Sequence, residues 1–137
     1  MNVSLRVTDY MSRRVITVSE EMDITDAVHL LVKNDISGAP VVDRHGRLTG
    51  MLTERDCLAV ALNAGYFDEP GGHVAEYMTS PVETVTIDES LMDIAVRFRD
   101  TRYRRFPVMQ DGEMVGVISR RDVLRALQRG SWFRRPK

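Results

Sequence analysis

The chain contains itself twice. Val7-Thr8-Asp9-Tyr10-Met11 returns as Val74-Ala75-Glu76-Tyr77-Met78, and Thr17-Val18 returns as Thr84-Val85, 67 residues later. The register then holds: Ile24, Ala27, Val28, Leu31 and Val32 are answered by Leu91, Ile94, Ala95, Phe98 and Arg99, and Pro40-Val41 by Pro107-Val108. After a turn one residue shorter in the second copy, Gly50-Met51-Leu52-Thr53-Glu54-Arg55-Asp56 matches Gly116-Val117-Ile118-Ser119-Arg120-Arg121-Asp122. A duplication this regular predicts two similar half-domains stacked on one another.

Length sharpens that expectation. A chain of 137 residues buries about two-thirds of the surface its unfolded form exposes, whereas halves of about 60 residues are marginal alone. Each half is therefore expected to complete its core against the other. The formal net charge of −1 excludes a simple polycation. The halves nevertheless differ: residues 1–70 hold seven basic and eleven acidic side chains, a net −4, and the remainder twelve and nine, a net +3. That asymmetry points to an anionic ligand or partner near the second repeat.

Cys57 is the single cysteine, so no intrachain disulfide forms and a reducing, cytoplasmic setting fits best. The start, Met1-Asn2-Val3-Ser4-Leu5-Arg6, lacks the apolar run of a signal peptide, and no stretch is long enough to span a bilayer.

Within each repeat the pattern predicts strand, helix, strand, strand, helix. The β-branched runs Val15–Val18 and Val82–Val85 read as the first strands. Asp23 and Ser90 are the expected N-caps, with Asp26 and Asp93 in the first helical turns and apolar residues following at i, i+3, i+4 and i+7. Pro40 and Pro107 suit the start of the second strands better than their interiors. Arg44-His45-Gly46 and Asp111-Gly112 supply turns. The last helices begin near Glu54 and Arg120, and Gly65 and Gly130 are expected to end them as C′ glycines. The domain reading is a first repeat over 7–65, a linker over 66–73, a second repeat over 74–130 and a tail over 131–137, whose Trp132-Phe133 pair either packs on a neighbour or is disordered.

Chemistry concentrates where each third strand meets its helix. Thr53-Glu54-Arg55-Asp56 and Ser119-Arg120-Arg121-Asp122 place a hydroxyl and a carboxylate at a helix start, where free N–H groups and the helix dipole attract phosphate. A carboxylate there can also accept two hydrogen bonds from ribose hydroxyls. A plain capping box explains one such signature equally well; its duplication in matched context weighs toward a ligand.

The repeated order of Met, Val-x-Thr-Val, amphipathic helix, Pro-Val, turn and Gly-x-x-Thr/Ser-x-x-Asp resembles a tandem pair of cystathionine β-synthase (CBS) domains, the stand-alone Bateman module, over nearly the whole chain. The resemblance implies an α/β (α+β) fold of two stacked β-α-β-β-α repeats related by a pseudo-two-fold axis, forming a flat homodimer. It also implies a regulatory, non-enzymatic module that binds an adenine nucleotide in clefts between the repeats and signals to a regulated protein. The alternative is a ligand-free dimerisation scaffold.

Carried over by the same resemblance, Asp56 and Asp122 hold ribose, with Thr53 and Ser119 near the phosphate. Thr17 and Thr84 lie beside the base, and Ser37, Gly38, Ala39 and Pro40, with Tyr103, Arg104, Arg105, Phe106 and Pro107, line the clefts. Arg55 and Arg121 sit inside the signatures. The repeats part company before the second strand, small and neutral at Ile36-Ser37-Gly38-Ala39 but bulky and basic at Tyr103-Arg104-Arg105-Phe106, so equal occupancy is not expected. No cofactor is required; AMP, ADP, ATP, NAD and S-adenosylmethionine all carry the adenosine such motifs recognise.

Arg102, Arg104, Arg105, Arg120 and Arg121 together suit a di- or triphosphate, because guanidinium groups bind phosphate bidentately; taken singly, each reads as a solvated surface charge. Nucleic acid is disfavoured, since no recognition helix or RNA-binding signature accompanies them. His29, His45 and His73 lack metal-ligand spacing, and Cys57 reads as a structural thiol. Met11 and Met78, being repeated, are candidates to line the interface between halves. Leu58, Ala61, Leu62, Leu124 and Leu127 recur at helical spacing and are the expected dimer face.

Overall fold

Asp23 and Ser90 start the first helix of each repeat, as their short polar side chains dictate. Asp23 accepts from the Thr25 N–H at 2.7 Å and Ser90 Oγ from the Asp93 N–H at 3.1 Å. The computed structural model describes residues 5–67 and 71–130, and the side chains of 5–62 and 71–130. Its elements are β1 (Val18–Ser19), α1 (Ile24–Lys33), β2 (Gly38–Val42), β3 (Leu48–Thr53) and α2 (Glu54–Phe67), then β4 (Val85–Thr86), α3 (Leu91–Asp100), β5 (Arg105–Gln110), β6 (Glu113–Ser119) and α4 (Arg120–Arg129). A single helical turn precedes each set, Val7–Asp9 and Val74–Glu76.

The result is an α+β fold with two three-stranded sheets, ordered β1-β2-β3 and β4-β5-β6. In each, the first strand runs parallel to the second and the second antiparallel to the third. Registers correspond as well: Gly38 faces Thr53 and Pro40 faces Met51, as Arg105 faces Ser119 and Pro107 faces Val117. The first strands form later than the β-branched runs predict. They pair only where the second strand offers a partner, at Val41-Val42 and Val108-Met109.

Both prolines lie inside their strands rather than at the start. The reason is visible on the facing strand. Met51 directs its N–H and C=O to Thr79 (3.0 and 2.8 Å), and Val117 directs its own to Ser12 (2.9 and 2.8 Å). The residues opposite, Pro40 and Pro107, therefore present their nitrogens away from that pair, on an edge the first strand does not reach, and no ladder bond is lost.

Packing does not follow the sequence repeats. One compact unit joins the residues up to Val15 with those from Glu83 onward; the other is Ile16–Val82. The former holds the β4-β5-β6 sheet and is the second-repeat unit; the latter holds the β1-β2-β3 sheet and is the first-repeat unit. The second-repeat unit buries Val7, Tyr10 and Met11 among Val85, Leu91, Ile94, Phe98, Phe106, Val108, Ile118 and Val123. The first-repeat unit buries Val74, with Tyr77 and Met78 packed alongside, among Val18, Ile24, Ala27, Leu31, Ala39, Val41 and Leu52. Each unit thus completes its core by borrowing the segment that introduces the other repeat, and Met11 and Met78 serve these cores.

The turns behave as their residues require, with Gly46 and Gly112 at φ 80° and 82° and Asp111 at φ 51°. The helix ends differ from expectation. α2 continues through Gly65 to Phe67, since one glycine costs a helix only about 1 kcal/mol and cannot stop it alone. Gly130 closes α4 at the C-cap itself, with right-handed φ −83°, donating to Ala126 and Leu127 carbonyls. The Trp132-Phe133 tail lies outside the described residues.

Candidate functional site

In the first-repeat unit, Thr53 ends β3 and Asp56 sits in the first turn of α2. Asp56 Oδ2 accepts from the Thr53 N–H and from Thr53 Oγ1–H, both at 2.9 Å, while the Asp56 N–H donates to Thr53 Oγ1 at 3.3 Å. This is a reciprocal cap. It leaves Oδ1 with one weak contact, from the Thr79 hydroxyl at 3.4 Å. Around the cap the sheet gathers the other predicted residues of this repeat: Gly38 pairs with Thr53, the Ser37 carbonyl accepts from the Glu54 N–H at 2.9 Å, and Thr17 directly precedes Val18, which pairs with Val41 next to Pro40. Gly38, Ala39 and Pro40 are buried, Thr17, Ser37, Thr53 and Asp56 half-buried, and Arg55 exposed.

The second-repeat unit repeats the plan with other side chains. Asp122 Oδ2 accepts from the Ser119 N–H at 2.9 Å, and the Asp122 N–H donates to Ser119 Oγ at 3.1 Å. Oδ1 here is engaged by Arg125 Nη2 at 2.7 Å. Arg105 pairs with Ser119, the Arg104 carbonyl accepts from the Arg120 N–H at 3.1 Å, and Thr84 precedes Val85, which pairs with Val108 next to Pro107. Phe106 and Pro107 are buried; Phe106 stacks on Phe98 with ring centroids 4.5 Å apart and lies 5.6 Å from Tyr103, under the Arg97 guanidinium at 4.8 Å. Tyr103, Arg104 and Arg121 are exposed.

Sequence reasoning missed Thr79 and Arg125. The signal for Thr79 is the hydroxyl that follows each repeated methionine, Met78-Thr79 and Met11-Ser12. The glycines of the two signatures explain how that segment reaches the site: a Cβ on Gly50 would lie 2.8 Å from Met78 Sδ and 2.9 Å from the Thr79 carbonyl, and one on Gly116 would lie 2.7 Å from Met11 Sδ and 2.8 Å from the Ser12 carbonyl.

Other candidates separate from this chemistry. Cys57 packs half-buried against the first-repeat core, and burial, with Asp56 and Glu54 adding, pushes its thiol pKa up, the opposite of a nucleophile's tuning. Among the described residues no cluster of His, Cys, Asp and Glu is placed to hold a metal, and no helix is long and apolar enough to cross a membrane. An open hollow of about 350 Å³ lined by Ser19, Glu20, Glu21, Asp43, Arg44, His45 and Arg47 lies at the hairpin end of its sheet, the far end of β2 from Gly38 and Thr53. Size alone does not select it, since the hydroxyl and carboxylate of the duplicated signature lie at the other end.

Known proteins agree with the duplicated plan. The family model described as CBS domain matches residues 7–63 and again 74–129. The uncharacterised protein MJ1225 of Methanocaldococcus jannaschii is 32% identical over 88% of this chain, which spans 42% of that protein. Hypoxic response protein 1 of Mycobacterium tuberculosis is 29% identical over 87% of this chain and 82% of its own length. Among solved structures, CBSX2 in complex with AMP superimposes with a TM-score of 0.80 at 30% identity, covering 92% of this chain and 98% of that one. The CBS domain pair of MJ0100 in complex with 5′-methylthioadenosine and S-adenosyl-L-methionine does so with a TM-score of 0.77 at 27% identity, covering 95% and 100%.

Proposed function

The chain belongs to the CBS domain family, with two such domains in tandem, and from that premise we propose that it is a regulatory module that binds an adenosine-bearing ligand at its two hydroxyl–carboxylate signatures. One observation carries the reading: the Asp56 cap uses Oδ2 and leaves Oδ1 with only the 3.4 Å contact from a rotatable hydroxyl. A carboxylate offers about four acceptor positions, so Asp56 can cap α2 and still accept from ribose. Asp122 differs, since its Oδ1 is held by Arg125 at 2.7 Å, and ribose there would use the acceptor positions left beside the bonds to Ser119 and Arg125. Thr53 and Ser119 stand near a phosphate in this reading, with Thr17, Thr84 and the segments before Val41 and Val108 beside the base. The AMP, methylthioadenosine and S-adenosylmethionine held by similar structures support the ligand class, with ADP, ATP and NAD as further members. No residue is assigned a catalytic role.

A ligand module acts through its assembly. Leu58, Leu62 and Leu124 remain 64%, 61% and 54% exposed on α2 and α4, and such apolar positions favour a two-fold homodimer whose geometry changes with ligand and is read by a regulated cytoplasmic protein. Leu127, grouped with them in the sequence, belongs instead to the second-repeat core. The rival reading, a scaffold without ligand, draws on the complete capping boxes at both signatures. Thermal unfolding against AMP, ADP, ATP, NAD and S-adenosylmethionine separates them. Ligand at about one hundred times its Kd adds about 2.7 kcal/mol, so the melting temperature rises with at least one member; no rise with any favours the scaffold.

A further inference from the structure

We propose that Arg125 holds the carboxylate of the second signature against ribose, so that the first signature fills first and the second only at higher ligand concentration; this rests on the adenosyl reading above. The observation is a matched comparison of two carboxylates on the same backbone frame. Asp56 and Asp122 each close their cap with Oδ2, and what meets Oδ1 differs. At Asp56 it is the Thr79 hydroxyl, 3.4 Å from Oδ1 and 3.4 Å from Oδ2. An O–H···O bond is usually about 2.5–3.0 Å long, so this hydroxyl holds neither oxygen firmly and can rotate away. At Asp122 the Arg125 guanidinium donates to Oδ1 at 2.7 Å, a charge-assisted bond roughly twice as strong as a neutral one. The Ser12 hydroxyl, which matches Thr79, turns instead to the Arg14 carbonyl at 3.4 Å.

Helix geometry produces the difference. Arg125 follows Asp122 at i+3 on α4, on the same helix face, where an arginine can pair with the carboxylate. The matched place on α2 is Ala59, an exposed methyl that offers no donor. Ribose presents two neighbouring hydroxyls, and each needs an acceptor. Asp56 offers both lone pairs of Oδ1, because the Thr53 N–H and hydroxyl together occupy Oδ2. Asp122 offers one position beside its cap on Oδ2 and one beside the guanidinium on Oδ1. A diol there shares Oδ1 with a cation that weakens it as an acceptor, or it breaks the ion pair. The Asp122 side chain is 18% exposed and Arg125 60%, so solvent screens the pair only in part. Breaking a helical pair of this kind lowers affinity roughly two- to fivefold. A module filled in this order responds at two ligand concentrations rather than one.

The test titrates the full chain calorimetrically with 5′-methylthioadenosine, which has no phosphate for an arginine to meet, at low and high sodium chloride. Asp122→Ala leaves the first signature alone and Asp56→Ala the second, with Asp→Asn at each position where alanine unfolds the protein. The first signature binds roughly two- to fivefold tighter than the second. Adding Arg125→Ala to the Asp56→Ala protein raises affinity by about that factor, and adding Ala59→Arg to the Asp122→Ala protein lowers it by about the same. Salt screens the ion pair, so high salt tightens the second signature and leaves the first unchanged, a dependence that a purely structural Arg125 does not produce. A tighter second signature, or one indifferent to Arg125 and to salt, overturns ordered filling while the adenosyl reading stands. Where only a phosphorylated member of the ligand panel binds, the Arg125→Ala and Ala59→Arg pair is read with that member, and indifference to both again overturns it. No binding of methylthioadenosine or of any panel member to the unmodified chain overturns both.

Discussion

Phe106 in the second-repeat unit stacks on Phe98 beneath Arg97, which is held by Glu83 and Glu89; the matched places in the first-repeat unit are Ala39, Leu31, Leu30, Ile16 and Met22. Strand order and register are nevertheless the same. The fold therefore depends on burial at these positions and on the turns between strands, whereas side-chain volume is distributed differently in each unit. Ala27 and Ala39 of one core stand against Ile94 and Phe106 of the other, and Cys57 against Val123. What differs most freely is the charge around the signatures.

The comparison breaks most visibly in the cores. Phe106→Ala leaves a cavity in the second-repeat unit and lowers stability by about 3–5 kcal/mol. Ala39→Phe, its mirror image, overpacks the first-repeat core and costs about 1–3 kcal/mol. Chemical denaturation measures both, and a loss below about 1 kcal/mol for Phe106→Ala contradicts a fully buried Phe106.

Next come the signature carboxylates. Asp56→Ala or Asp122→Ala removes acceptors from ribose and weakens adenosyl binding at its own site by about 1.5–3 kcal/mol. Each also loses a helix cap and about 1 kcal/mol of stability. Calorimetry and melting on the same samples distinguish the two effects: capping residues without a ligand role lower only the melting temperature.

Arg97→Leu copies the first-repeat residue into the second. It removes the pairs to Glu83 and Glu89 and the cation–π contact, and because these groups are partly solvated the expected loss is about 1 kcal/mol by denaturation. A gain in stability would mean that the ion-paired arrangement serves something other than the fold.

The smallest effect separates the hairpins. The Asp43 carboxyl is held below its ordinary 3.8 chiefly by the Arg47 N–H, then by the His45 N–H and the Arg47 guanidinium. A lowered folded pKa contributes stability that is present above the unfolded value and lost as pH falls through the folded one. Amide exchange at His45 and Arg47, after correction for intrinsic rates, quickens as pH drops below 3.8, while the Asp111-Gly112 turn, built on positive φ, keeps its protection.

Much of this was legible in the residues. Element order, the N-caps at Asp23 and Ser90 and the turns at Gly46 and Asp111-Gly112 follow from local chemistry, and the paired Thr53/Asp56 and Ser119/Asp122 follow from the repeat. The exchange of introductory segments was not. Val7, Tyr10 and Met11 are apolar in the same way as Val74, Tyr77 and Met78, so their pattern reports burial without reporting in which core. Thr79 escaped for the same reason, since its approach to Asp56 depends on a long-range bridge to Met51. The prolines misled because their tolerance depends on which edge the neighbouring strand reaches.

A crystal structure of the chain grown with AMP tests the central claim most directly. Ribose hydroxyls within hydrogen-bonding distance of the Asp56 or Asp122 carboxylate, with the Thr53 or Ser119 cap still formed, are the predicted result. AMP bound elsewhere, or both carboxylates engaged only by their caps, Thr79 and Arg125 at saturating AMP, would contradict it.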